Sequence, residues 1–282
     1  KFAIKTRRMK QQREGSIYNH VDLSHEVLQD AKQITERLLA LRDDTHRAVL
    51  MRFFKTGPGE YGEGDEFLGI KVPVTRSVVK RVDRNLPLSE TGKLLGSPWH
   101  EVRLCGLLIL VEQFSRIVGL RSPEAMKQRD AIVSFYLRHA DRINNWDLVD
   151  ASAPKIIGCW LACPTALGQQ RDILDTLARS GHLWRQRISM VCTLTPTQQG
   201  DPSWCLRYAE LHLHATHDLM QKAVGWMLRE MGKHVSMDLL RSFLDQHAHE
   251  MPRTMLRYAI EKFDEAERYD FMSRKGPWHK DG

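Results

Sequence analysis

From about Ser24 onward the spacing of apolar residues is helical nearly everywhere. Val27, Ala31, Ile34, Leu38 and Leu41 recur at intervals of three and four, which lays one apolar stripe along an amphipathic helix. Capping signals mark helix starts. Ser97-Pro98 precedes one apolar run, and Ser122-Pro123, with Glu124 in the first turn, precedes another. Alternating β-branched runs bounded by turns do not occur, so the pattern predicts an all-α protein. The longest interruption runs from Thr56 to Val74, TGPGEYGEGDEFLGIKVPV, with five glycines and two prolines. It lacks the Lys-Ser/Thr ending of a phosphate loop, and a loop of that length inside a compact domain is usually functional or disordered.

Four segments align on a basic residue: HEVRLCGLLIL at Arg103, WRQRISMVCTL at Arg187, LMQKAVGWMLR at Lys222 and TMLRYAIEKFD at Arg257. The last two steps are 35 residues each, and the first is 84, which suits two longer units with a less regular repeat between them. Such a period marks a stacked helical solenoid of the HEAT or armadillo kind. The expected organisation is a basic N-terminal extension over residues 1–23, a single HEAT-like helical-repeat domain over 24–272, and a tail over 273–282. Any one of the four basic residues reads as an ordinary solvated helix charge. Four in register tilt the reading toward one anion-binding surface.

Composition changes this picture little. Hydrophobic residues make up 42% and charged residues 27%, an ordinary globular balance. The longest apolar run, Leu107 to Val111, is far too short to span a bilayer. The basic N-terminus lacks the apolar core and cleavage site of a secretory signal, so a cytoplasmic location is expected. Five cysteines stand singly in apolar stretches, as reduced buried thiols do. Cys159 and Cys163 have metal-pair spacing, but no second ligand pair follows, which favours two core cysteines. The net charge of +7 is mostly the N-terminus: residues 1–14 carry six basic groups and one acid, leaving the body at +2. Charge alone is weak evidence for nucleic-acid binding.

The segment INNWDLVDASAPKIIG, Ile143 to Gly158, is the most unusual in the chain. Trp146 and Asp150 stand at i and i+4, on one face of a helix, and Asp147 points elsewhere and is a candidate cap. An indole face beside a carboxylate suits a held cation. A core tryptophan and a capping aspartate explain the same spacing. Trp184, Arg185, Gln186 and Arg187 open a later helix, where Arg187 is a candidate for holding a phosphate, although a surface arginine needs no such purpose. Trp226 sits in QKAVGWMLRE, where core packing is the commoner role. His212, His214 and His217 have metal-like spacing without a supporting ligand set, so no metal site is expected.

Together, FFKTGPGEYGEGDEFLGIKVP, HEVRLCGLLILVEQF, NNWDLVDASAPKIIG, LWRQRISMV and MQKAVGWMLREMGK resemble successive blocks of the AlkD-type DNA alkylation repair enzymes, in order over about residues 30–265. The WDLVD and QKAVGW blocks carry most of that specificity. The resemblance implies a C-shaped HEAT-like solenoid with a concave basic face on duplex DNA. It also implies a monofunctional glycosylase that removes positively charged N3- and N7-alkylated purines. By the same resemblance Asp150 is the catalytic carboxylate, and Trp146 and Trp226 pack beside the lesion's deoxyribose. Arg187 then faces the DNA backbone, Tyr61 stands near the site, and Lys222 contacts DNA. No cofactor and no metal are expected, nor a membrane or an obligatory protein partner, and the chain is expected to be monomeric. The rival expectation is a non-catalytic HEAT-like module that binds distorted or branched DNA.

Overall fold

The computed structural model describes residues 26–163 and 167–274, without the side chains of 167 and 168. The extension over 1–23 lies outside the described residues, as does all but the start of the tail over 273–282. Among the described residues every regular element is a helix, as the apolar spacing predicts. Extended pairing is limited to two isolated bridges, Leu28 with Val82 and Glu66 with Trp99. The chain divides between Cys105 and Gly106 into two compact units.

The first unit holds α1 (Ala31–Leu39), α2 (Asp44–Phe53), α3 (Val72–Val79), α4 (Leu88–Leu95) and the first turns of α5 (His100–Ile117). Ala31, Ile34, Leu38 and Leu41 are buried as the stripe requires, but Val27 is 51% exposed. The reason is local: α1 starts only at Ala31, behind an Asp30 cap that accepts the Gln33 N–H, so Val27 falls outside the helical register. The glycine-rich stretch after α2 is irregular as expected, yet its second half is firmly held. Glu101, buried in the first turn of α5, accepts the backbone N–H groups of Leu68, Gly69 and Ile70 at 2.8, 2.8 and 3.1 Å. Beside it, buried Asp65 pairs with Arg103 and with His100 Nδ1. Burial pushes against the charge of Asp65, but His100 and Arg103 overcome this and lower its pKa.

In the second unit the rest of α5 is followed by α6 (Pro123–Arg138), capped by Ser122 as the sequence indicates. A 3-10 turn (Ala140–Arg142) leads to α7 (Trp146–Ala153), which continues through a π-helical segment (Pro154–Gly158) into a short turn at Cys159–Leu161. Then come α8 (Leu167–Ala178), α9 (Leu183–Val191), α10 (Leu194–Gln198), α11 (Ser203–Leu211) and α12 (Asp218–His234). The chain ends with α13 (Met237–His247), α14 (Arg253–Ala259) and α15 (Glu265–Ser273). Helix α9 packs between α7 and α12, and α12 lies most extensively against α14. The α12–α14 contact depends on Gly225, where a Cβ would collide with the Met255 carbonyl and the Tyr258 side chain.

Candidate active site

The four aligned basic residues are not alike in exposure. Arg103 is 2% exposed and belongs to the Asp65 ion pair, Arg187 is buried, and Arg257 is exposed. Lys222 pairs with Asp218 at 2.6 Å. Sequence alignment found equivalent helical positions, but the charge at each is used differently.

Within the second unit, however, α7, α9 and α12 bring several of the predicted residues into one assembly. Asn145, fully buried, caps α7 by accepting the Trp146 N–H at 2.9 Å, the role the sequence offered to Asp147. Half-buried Trp146 opens the helix and Asp150 follows one turn later. Arg187 is not at the start of its helix but is the fifth residue of α9, and its guanidinium turns inward. Its Nε and Nη2 donate to the two carboxylate oxygens of Asp150 at 3.0 and 2.9 Å. This bidentate fork is the strongest geometry for a guanidinium and a carboxylate. The remaining Nη1 donates to the carbonyl of Leu219, in the first turn of α12. One arginine thus joins all three helices.

The two partners differ in exposure. The Arg187 side chain is 5% exposed, whereas 20% of Asp150 remains open. Burial raises the pKa of Asp150, and Arg187 pulls it down without cancelling the rise. The result is a carboxylate that is partly dehydrated, fixed by two charge-assisted hydrogen bonds, and still reachable from one side. Such a group stabilises nearby positive charge more than a hydrated surface aspartate does.

Lys222 and Trp226 lie on α12 three and seven residues beyond Leu219, with Trp226 about 10 Å further along the axis. Trp226 is half-buried, and its Nε1–H donates to Glu230 at 3.3 Å. Glu230 also meets Arg229, Lys233 and His234, so the indole is tied into a charged network rather than into the core. Trp184, by contrast, is 6% exposed and belongs to the core, and Arg185 pairs with Asp141. Tyr61 lies in the first unit, where its hydroxyl donates to the Phe53 carbonyl at 3.4 Å. The histidine run is dispersed: His212 is buried against Ser189, His214 faces Glu250, and His217 accepts the Leu219 N–H. Burial lowers the pKa of His212 to about 4. Asn145, Glu230 and the Leu219 carbonyl escaped the sequence reading, because each acts through a hydrogen bond that composition does not announce.

An all-helical fold thus carries a guarded carboxylate flanked by an indole, and its class is settled by comparison with known proteins. The sequence profile of the DNA alkylation repair enzyme family matches residues 34–263, and the chain belongs to that family. A solved structure of a predicted DNA alkylation repair enzyme from Enterococcus faecalis shares the fold with a TM-score of 0.59 at 16% identity, covering 79% of this chain and 97% of that one. No curated protein matches the chain. Family membership gives the chain a role in repair of alkylated DNA. No helix among the described residues is long and apolar enough to cross a membrane.

Proposed function

We propose that this protein is a monofunctional DNA glycosylase that hydrolyses the N-glycosidic bond of cationic N3- and N7-alkylated purines in duplex DNA. One observation carries the reading: Asp150 is clamped on both oxygens by buried Arg187 yet remains 20% exposed, one turn from Trp146. Alkylation at N3 or N7 makes the base cationic and hence a good leaving group. When the C1′–N bond breaks, its electron pair leaves with the base, which departs neutral, and positive charge develops on the sugar. Asp150 opposes that charge, and the indole faces of Trp146 and Trp226 add a weaker attraction. Water then bonds to C1′ and gives up a proton. Arg187 keeps the carboxylate ionised and aimed, Lys222 is assigned to the DNA backbone, and Tyr61 is assigned to a DNA contact.

The test is release of free base from a duplex containing N7-methylguanine. Under single-turnover conditions the protein is expected to release the base, while Asp150→Asn slows release by about 100-fold or more and keeps duplex binding. A variant as fast as wild type removes Asp150 from the chemistry, and an inert wild type that still binds duplex leaves the protein a DNA-binding module.

A further inference from the structure

The backbone beneath Asp150 is broken. In a continuous α-helix the carbonyl of Asp150 would receive the N–H of the residue four positions on, but that residue is Pro154, which has none. The helix responds by widening into the π segment Pro154–Gly158 directly after α7. Helix α7 is only eight residues long, too short to be stable by itself. The candidate carboxylate therefore stands at a weak point of its own helix, and its orientation depends on whatever pins the backbone on either side.

Three side-chain hydrogen bonds do so. On the buried face of α7, Ser152 donates its only hydroxyl hydrogen to the Leu148 carbonyl at 2.6 Å. The contact of 2.9 Å between Ser152 and Tyr136 must therefore be donated by the Tyr136 hydroxyl. Both side chains are fully buried, so α6 holds α7 at Ser152, two residues after Asp150, and Ser152 in turn ties back within α7 to Leu148, two residues before it. On the far side of the break, Thr195 of α10 donates to the Pro154 carbonyl at 2.6 Å. Gly158 is what allows the π segment to lie this close to its neighbours, since a Cβ there would collide with the Cys192 carbonyl and crowd the Thr195 side chain.

We propose that Tyr136, acting through Ser152, and Thr195, acting through the Pro154 carbonyl, are positioning residues that hold Asp150 in register with Arg187 across the π break. The inference rests on the glycosylase reading only where activity is the measurement. Neither residue touches substrate. Each restrains the α7 backbone, and the position of a carboxylate that must oppose developing charge is sensitive to shifts well below its own size.

Tyr136→Phe and Thr195→Val remove one hydrogen bond each with little change of shape, and Thr195→Ser restores the hydroxyl of the second. Single-turnover release of N7-methylguanine is expected to slow by about ten-fold or more in both, at unchanged duplex Kd, and to recover in Thr195→Ser. Hydrogen exchange of the intact protein is expected to quicken within residues 146–158 in Thr195→Val and not in Thr195→Ser. Wild-type rates in both variants overturn the proposal, as does a Thr195→Ser variant as slow as Thr195→Val. If the wild-type protein releases no base, the glycosylase reading is lost and hydrogen exchange decides alone: equal exchange in the valine and serine variants refutes the pinning, and selective loss of protection in the valine variant upholds it.

Discussion

Burial raises the pKa of Asp150 above its ordinary 3.8, and the Arg187 fork restrains that rise. If ionised Asp150 opposes charge on the sugar, excision is full above the raised pKa and falls as pH drops through it. The acid limb of the single-turnover pH profile is therefore expected above the range of an ordinary aspartate. Arg187→Ala removes the group that pulls the pKa down, so the limb should move further toward neutrality, and a limb that stays put would show that the two do not interact in solution. Stability runs the other way. An acid with a raised folded-state pKa favours the fold in its protonated form, so its contribution is lost as pH rises through that pKa. Denaturant unfolding of wild type and Asp150→Asn should show the wild type losing ground to the variant across that interval. At this scale the sequence was half legible. The i, i+4 relation of Trp146 to Asp150 is a property of one helix and could be read directly. The partner that governs Asp150 lies 37 positions away, and spacing along the chain says nothing about which side chains meet between helices.

Helices, more than residues, are what apolar periodicity describes, and here the agreement is close. The Ala31–Leu41 stripe and the Ser122 cap are where the pattern puts them. The misses have local causes: Val27 precedes its helix, Asn145 rather than Asp147 caps α7, and Arg187 lies mid-helix. Pro154 was visible, but its consequence, a π segment under Asp150, depends on neighbours that accept the widened turn. Gly225 shows how element packing bears on the site. It precedes Trp226, and its missing side chain lets α12 approach the Met255 carbonyl and Tyr258. In Gly225→Ala the methyl must push α14 away or rotate α12 along with Trp226. Overpacking of this kind costs about 1–3 kcal/mol. Chemical denaturation should show a loss of that size, with slower base release at unchanged salt dependence of binding. An alanine variant as stable as wild type would mean that the two helices separate freely.

For the molecule as a whole, the blocks that resembled a known family proved to belong to it, over residues 34–263. What sequence order left open is how charge is distributed. Arg103 and Arg187 are buried in ion pairs while Lys222 and Arg257 are not, so the four aligned basic residues differ in their access to phosphates. The described body is close to neutral, since residues 1–14 hold +5 of the net +7. Binding to duplex DNA by phosphate contacts releases counterions, and the slope of log affinity against log salt counts those contacts at roughly 0.9 per phosphate. If the N-terminal cations add nonspecific grip while the second unit performs the chemistry, removing residues 1–14 should separate the two. Affinity for undamaged duplex should fall and the salt slope should become shallower, by up to about four or five units if every one of those charges is engaged. Single-turnover release of N7-methylguanine at saturating protein should stay at the full-length rate, because Asp150, Arg187 and Trp226 are untouched. A shortened protein with the same slope and affinity would place the phosphate contacts on the helical body. A shortened protein that binds normally but excises slowly would instead draw the N-terminus into the site itself.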